Sequence, residues 1–195
     1  GFRVATGGWP VVNFGVSSGT LTSPIAVLNG RYLGQIAFLG YDGNSFEYGA
    51  DILGIVTAPP GDEVMPTSLY FRTRDSANSD PATRLFISHK GNIGIGTTTP
   101  GFPLTFPNTV GDKISLWGQS GNHYGFGIQG GLLQIHSALA VDDIAFGYGQ
   151  SSGFSEVMRI KGSGDVGIGT TSPRGRLDVS SGRLHFSGNG DWGIV

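Results

Sequence analysis

The sequence predicts an all-β fold that only identical copies of the chain can complete. Three observations predict it: helix signals are nearly absent, glycine is unusually frequent, and one 22-residue stretch occurs twice. No window keeps an apolar face at helical spacing for three turns without an interrupting Gly or Pro. Short alternating segments bounded by turn residues occur along the whole chain instead, which is typical of β-strands.

Four strands are predicted in the first half of the chain, at residues 33–39, 46–57, 68–74 and 84–88. The first is closed by Tyr-Asp-Gly-Asn at 41–44, which has the composition of a tight turn. Gly49 and Gly54 are expected to mark bends or bulges in the second. Residues 58–62, with two prolines, and the polar residues 75–81 are predicted to be surface loops.

The composition indicates a chain with a thin interior. Glycine supplies 35 of 195 residues, more than twice its usual share, and no Gly-X-Y period accompanies it, so collagen is excluded. Charged residues make up 13% and aromatic residues 11%, a balance that favours folding over disorder. Because glycine loses much backbone entropy on folding and adds no side chain to a core, burial between identical subunits is expected.

Charge and cysteine content exclude several classes of function. The net charge is -2 and the pI is about 6.0, with no basic stripe, so no nucleic-acid partner is expected. Cysteine is absent, which removes disulfides and Cys-ligated zinc. No apolar run is long enough to span a membrane, so no membrane insertion is expected. The chain begins Gly-Phe-Arg without a signal pattern, which predicts a fragment or a processed product.

The repeat divides the chain into modules. Residues 85–106 read LFISHKGNIGIGTTTPGFPLTF, residues 158–179 read MRIKGSGDVGIGTTSPRGRLDV, and the offset between them is 73 residues. The predicted organisation is a lead-in at 1–29, a first β module at 30–106, a second at 107–179, and the start of a further module or a C-terminal tail at 180–195. The shared structural residues are Gly91, Gly94, Ile95, Gly96 and Pro100 in the first copy and Gly164, Gly167, Ile168, Gly169 and Pro173 in the second.

The alternation inside the repeat predicts a strand with two unlike faces. Ile93 and Ile95 share one face, whereas Gly94 and Gly96 fall on the other and leave room for a close backbone approach. Such a strand suits a narrow three-fold axis where three chains meet. The Thr run can satisfy its own backbone with hydroxyl groups, and Pro100 then holds an extended exit.

The repeat has three alternative interpretations. A phosphate-binding loop would need Gly-Lys-Ser/Thr and a following helix, and a dinucleotide fingerprint would need a βαβ unit; neither pattern is present. A surface hairpin in a monomeric β-sandwich stays open as an alternative. The favoured interpretation is a structural element repeated along an elongated homotrimer of stacked β modules, whose strands pack or interdigitate.

The second copy of the repeat closely resembles a signature of phage tail-fibre and tail-spike proteins, M-R-I-x-x-x-G-N-V-G-I-G-T-T-S-P-x-x-x-L-x-V. The first copy departs from it, with Leu85-Phe86 in place of Met-Arg. Two further segments, residues 32–88 and 113–137, resemble modules of the same fibres. The matching residues are Leu33, Gly34, Ile36, Phe38, Gly40, Tyr41, Asp42, Gly43, Met65 and Pro66 in the one and Tyr124 to Ile128 in the other.

The resemblance implies a virion component without catalytic activity or cofactors. It predicts a structural and receptor-binding segment of a homotrimeric tail fibre that attaches to a host surface glycan, with other fibre or baseplate proteins as further partners. Many such fibres end in a self-cleaving chaperone domain, and no pattern of that domain is visible here. The alternatives are a polysaccharide-degrading tail spike, a fibre of a contractile injection system, and a purely structural shaft.

The candidate catalytic groups are acidic and histidine side chains. A glycosidase needs two carboxylates about 5–10 Å apart, and a hydrolase triad needs Ser, His and Asp together. The neighbours Asp142 and Asp143 are expected to point to opposite faces or to water. The other acidic candidates are Glu47, Asp51, Asp62, Glu63 and Glu156, and the histidines are His89, His123, His136 and His185. None of these forms a recognisable catalytic pattern, so no catalytic residue is predicted.

No metal site is predicted, and His136 is the only candidate ligand. It shares a strand face with Leu132 and Gln134, and three copies of one His around an axis could hold a transition metal.

A glycan site is predicted in the stretch 117–129. Sugar sites stack a ring face on an aromatic side chain and satisfy hydroxyls with amides and carboxylates. The stretch interleaves both kinds of residue around a turn at 119–122. The candidate ligand-binding residues are Trp117, Gln119, Asn122, His123 and Tyr124. The alternative is that the aromatic side chains pack in the core or between subunits and only the turn meets solvent.

Overall fold

The computed structural model describes residues 2–3, 11–20, 22–76, 80–119 and 121–181. The chain divides into two units, residues 1–108 and residues 109–195. Strands form nearly all the regular structure of the described residues, which confirms the all-β prediction, and a 3₁₀ turn at Ser151–Gly153 is the exception. No helix among those residues is long and apolar enough to cross a membrane.

The strands are β1 (Phe2–Arg3), β2 (Val11–Val12), β3 (Ser18–Thr20), β4 (Ser23–Ile25), β5 (Tyr32–Tyr41), β6 (Phe46–Val56), β7 (Thr67–Thr73), β8 (Ala82–Ile87), β9 (Ile93–Ile95), β10 (Leu104–Thr105), β11 (Gly111–Gln119), β12 (Asn122–Gln129), β13 (Leu132–His136), β14 (Ile144–Tyr148), β15 (Ser155–Ile160), β16 (Val166–Ile168) and β17 (Leu177–Val179). The four strands predicted in the first half correspond to β5, β6, β7 and β8. The predicted module at 180–195 lies, from residue 182 onward, outside the described residues.

The first unit is built on a six-stranded sheet with the order β10-β9-β8-β7-β6-β5. Asp42 closes the β5–β6 hairpin, because its Oδ1 accepts the backbone N–H groups of Asn44 and Ser45, each at 2.8 Å. The predicted bulge at Gly49 is present, since Phe38 and Leu39 pair with residues 50 and 48. At Gly54, where a bend or bulge was predicted, β6 itself stays in register, and the bulge lies across from it at Leu33 of β5.

The core of the first unit is small and contains a buried ion pair. Leu53 and Val56 are almost fully buried. Asp51 is 1% exposed beside them, where it accepts hydrogen bonds from Arg72 Nε and Gln35 Nε2, both at 2.7 Å. These donors, Arg72 foremost, hold the pKa of Asp51 below its ordinary value against the opposing effect of burial. The carboxylate is therefore a structural group that links β5, β6 and β7.

The second unit contains a three-stranded sheet, β11-β12-β13, and a four-stranded sheet, β14-β15-β16-β17. The first of these is antiparallel throughout, with β12 in the centre. In the second, β16 and β17 run parallel, as β9 and β10 do in the first unit.

Both copies of the repeat adopt the same local fold. Phe86 pairs with Gly94 across β8 and β9, and Arg159 pairs with Gly167 across β15 and β16, so the register is preserved at the offset of 73 residues. The turn between these strands contains Gly91 or Gly164, with φ of 85° and 88°. Each turn closes with backbone hydrogen bonds of 2.8–2.9 Å.

The local backbone geometry of each repeat requires its glycines. A Cβ on Gly94 would lie 2.1 Å from the carbonyl oxygen of Thr97, and one on Gly167 would lie 2.4 Å from that of Thr170. Gly96 and Gly169 have φ of 71° and 70°, a region that side chains disfavour. The close backbone approach predicted for these strands is therefore made within each chain, and it does not need a three-fold axis.

Candidate functional site

The β11–β12 hairpin separates an apolar face from a polar face. Paired residues of an antiparallel sheet share a face, so Ile114, Phe126 and Ile135 lie together on one side. Asp112 and Gly127 lie on the other. A bulge between Ser115 and Trp117 adds one residue to β11 and turns the Trp117 side chain to the apolar face, opposite Tyr124.

Four of the five residues predicted for glycan binding meet at one cavity on this apolar face. Trp117, Gln119, Asn122 and Tyr124 line a space of about 730 Å³. Trp117 and Gln119 come from β11 and pair with Tyr124 and Asn122 of β12, next to the hairpin turn. The hairpin therefore places two aromatic rings and two amide side chains at one end of the sheet.

The two aromatic rings form an accessible platform. The centroids of Trp117 and Tyr124 are 5.3 Å apart and the ring planes meet at 42°. Trp117 is 69% exposed, so one face of the indole is open to a ligand. An exposed indole beside polar side chains can stack on the apolar face of a sugar ring.

Asp142 completes the cavity, and the sequence did not predict it as a ligand-binding residue. It comes from the loop before β14 and lines the same space with Leu139. Its Oδ2 accepts the backbone N–H of Leu139 at 2.9 Å, which fixes the side chain. Burial and the neighbouring Asp142 carboxylate raise the pKa of Tyr124 above its ordinary value. The carboxylate lies 18 residues beyond Tyr124 in sequence, and only the return of the chain after β13 brings it back.

His123 does not join this cavity. It pairs with Gly118 on the opposite face of the hairpin, where its ring packs edge-on against His136 with centroids 4.8 Å apart. Asp112 lies beside both rings, and the three side chains form a cluster of possible metal ligands within 4.8 Å of one another. His136, the predicted candidate, thus has its nearest partners in its own chain.

The remaining acidic candidates are held in ion pairs or loops. Asp143 and Glu156 both bind Arg159, at 2.6 and 2.7 Å, and Glu47 binds Arg74 at 2.9 Å. The pKa values of Asp143 and Glu156 are lowered, chiefly by the Gly162 N–H for the first and by Arg159 for the second. A general acid needs a raised pKa instead. In their ionised form, these carboxylates stabilise the fold.

The other candidate residues lie in a loop or make structural hydrogen bonds. Asp62 and Glu63 lie in the loop between β6 and β7, where Glu63 has φ of 55°. His89 Nδ1 is 3.0 Å from the hydroxyl of Thr57, and its backbone N–H donates to Ser68 at 3.0 Å. His185 lies outside the described residues.

Comparison with known proteins returns structural neighbours only. No family model matches the sequence, and no curated protein matches it. The carboxy-terminal domain of the bacteriophage T5 L-shaped tail fibre, solved with its intramolecular chaperone domain, aligns with 100% of this chain and 68% of its own, at 12% identity and a TM-score of 0.48. The same domain solved without the chaperone aligns with 99% of this chain and 98% of its own, at 12% identity and a TM-score of 0.47. Both of these structures are of a phage tail-fibre domain.

Proposed function

We propose that this chain is a receptor-binding segment of a homotrimeric phage-type tail fibre, and that the Trp117 cavity binds a glycan of the host surface. The observation that supports it best is the convergence of two aromatic rings, two amides and a carboxylate at one exposed hairpin end. The chain would act by adsorption, since three copies of a weak site gain avidity through a high effective concentration.

The apolar face of the β11-β12-β13 sheet supports assembly from identical copies. Ile135 is 52% exposed, Leu133 is 68% exposed and Ile128 is 38% exposed, all on the face that carries Trp117. Among the described residues of the whole chain, the buried hydrophobic side chains are Val27, Leu53, Val56 and Phe86. An exposed face this apolar is expected to be buried against another surface, and a second and third copy of the same chain supply a surface of matching chemistry.

The assembly is tested by native mass spectrometry of the purified chain. We expect a species of three times 20.3 kDa. Ile135→Asp should dissociate it, because a charge would replace an apolar side chain inside the interface. Leu132→Asp is the matched control, since Leu132 is also 52% exposed but lies on the opposite face. A monomeric wild-type chain, or equal effects of the two substitutions, would contradict the assembly.

Glycan binding is tested on a panel of purified bacterial surface polysaccharides by biolayer interferometry. Trp117→Ala should weaken binding to the recognised polymer at least tenfold, the loss of about 1.4 kcal/mol that removal of a stacking ring can cause. Leu116→Ala is the matched control, because Leu116 is the next residue and is 68% exposed against 69% for Trp117. Failure of the wild type to bind any polymer would favour a structural shaft. Release of reducing ends from a bound polymer would favour a degrading tail spike.

A further inference from the structure

The polar face of the β11-β12-β13 sheet contains a furrow lined by two imidazoles and a carboxylate. Gly125 and Gly127 lie on this face of the central strand, opposite His136 and Gln134 of β13. Asp112 of β11 pairs with Gly127. A Cβ at Gly127 would lie 3.1 Å from Asp112 Oδ1. Because Gly125 and Gly127 have no side chains, groups from the two outer strands can approach each other across the centre of the sheet.

Three side chains in this furrow place possible metal-ligand atoms close to one another. His123 Nε2 lies 3.7 Å from Asp112 Oδ2, and His136 Nε2 lies 3.7 Å from Asp112 Oδ1. Both Nε2 atoms are buried and have no hydrogen-bond partner. Two unpartnered buried nitrogens beside a carboxylate are rare, because each such group carries a desolvation cost.

A backbone contact fixes the tautomer of one imidazole. His136 Nδ1 lies 3.2 Å from the carbonyl oxygen of His123. A carbonyl oxygen only accepts, so Nδ1 carries the hydrogen and the neutral ring presents the lone pair of Nε2 to the furrow. This contact is the one that orients histidine ligands in metal sites, where the second ring nitrogen donates to a carbonyl or carboxylate.

We propose that Asp112, His123 and His136 bind one divalent transition-metal ion, Zn²⁺ in preference to Ca²⁺ or Mg²⁺, and that the ion ties the three strands of this sheet together. Imidazole nitrogens select zinc-like ions, whereas Ca²⁺ and Mg²⁺ take oxygen ligands. A single metal ion would satisfy both nitrogens and the carboxylate at once.

The ligand atoms lie close enough to share one ion, but they would have to draw together around it. Zinc bonds of about 2.0–2.1 Å place neighbouring ligand atoms about 3.4 Å apart. Each nitrogen lies 3.7 Å from its carboxylate oxygen, and all three ligand atoms lie within 4.8 Å of one another. Water completes the coordination, and the carboxylate, which is 61% exposed, leaves a path for the ion to enter.

One ligand comes from each strand, so a bound ion would link the three strands of the sheet. Asp112 belongs to β11, His123 to β12 and His136 to β13. A three-stranded sheet is close to the smallest that is stable alone, and a bound metal adds its binding free energy to folding. The site is complete within one chain and does not depend on the proposed trimer or on glycan binding.

The proposal is tested by calorimetric titration of ZnCl₂ into the untagged chain after chelator treatment. We expect one ion per chain and a rise in the unfolding temperature when zinc is added. His123→Gln, His136→Gln and Asp112→Asn should each weaken zinc binding at least about tenfold. His89→Gln is the matched control, because its Nδ1 is already hydrogen-bonded to Thr57 in the other unit. His185→Gln should also leave the affinity unchanged.

A second measurement on the wild type does not depend on how the variants fold. X-ray absorption at the zinc edge should give nitrogen and oxygen neighbours at about 2.0–2.1 Å, with imidazole scattering. A Co²⁺-loaded sample should develop the visible bands of a four-coordinate ion. Absence of stoichiometric zinc, zinc binding that survives all three ligand substitutions, or Ca²⁺ binding with equal affinity would overturn the proposal.

Discussion

The two copies of the repeat share a backbone but fill the same position with opposite chemistry. Phe86 in the first copy corresponds to Arg159 in the second. Phe86 is 5% exposed and packs against Tyr70 with ring centroids 4.8 Å apart at 62°. Arg159 instead binds the carboxylates of Asp143 and Glu156. The same local backbone therefore accommodates either a packed aromatic ring or an arginine held by ion pairs.

The neighbouring strand explains the difference. Tyr70 of β7 pairs with Phe86, whereas Ala145 of β14 pairs with Arg159. A large ring beside the strand gives Phe86 a packing partner, and a small side chain leaves space for Arg159 to reach the carboxylates. The repeat thus determines its own backbone, and the strand beside it determines which side chain that backbone can hold.

The largest expected effect comes from truncating the aromatic interior. Phe86→Ala should lower the stability of the first unit by about 3–5 kcal/mol, because it leaves a cavity beside Tyr70. Denaturant unfolding, monitored by hydrogen exchange in each unit, measures this loss of stability. Phe102→Ala is the control, since that ring is 75% exposed and its loss should change stability by less than about 0.5 kcal/mol. Equal losses for the two variants would mean that Phe86 is not part of a core.

The next effect tests whether both copies depend on the same glycine. Gly94→Ala and Gly167→Ala should each lower stability by about 1–3 kcal/mol, because the new Cβ would overlap a backbone carbonyl oxygen. Thermal unfolding of the two variants measures the cost in each unit separately.

The controls for these glycine variants are Gly101→Ala and Gly175→Ala, where a Cβ would meet nothing within 4 Å. Neither should lower the unfolding temperature. If one repeat tolerated the substitution and the other did not, the two copies would not share a backbone in solution.

The smallest effect separates the ionic interior from the aromatic one by its dependence on pH. The folded pKa values of Asp143 and Glu156 lie below the ordinary 3.8 and 4.5. Ionised carboxylates therefore stabilise the folded state in full above those ordinary values, and the stabilisation is lost as the pH falls through the lowered ones. Unfolding measured from neutral pH down through this range should show the second unit weakening with acid.

Arg159→Met should reduce this acid dependence in the second unit, because it removes the main partner of Glu156, whereas the Gly162 N–H still lowers the pKa of Asp143. Arg174→Met is the control: the Arg174 side chain is 89% exposed, and the Arg174 backbone N–H, which the variant keeps, is the main cause of the lowered pKa of Asp178. An acid profile that Arg159→Met leaves unchanged would assign the dependence to other groups.

Much of the local structure could be predicted from single residues. The alternation of Ile93, Gly94 and Ile95 indicated a short strand, and Gly91 indicated the turn before it. Gly54 was expected to mark a bend or bulge in β6, but the bulge lies across from it at Leu33 of β5, because the pairing of the two strands decides which one carries the extra residue. Residues whose role depends on a distant strand, such as Asp142, gave no signal in sequence.

Local sequence patterns were enough to predict the all-β fold, the paired repeat and the turn at 119–122, because turns and alternation act between residues close in the chain. The three-dimensional fold was needed to assign each side chain to a face of the sheet. It separated His123 from the Trp117 cavity and placed it with Asp112 and His136. A shift of one residue in strand register exchanges the two faces of a sheet, and that register is set by all three strands together.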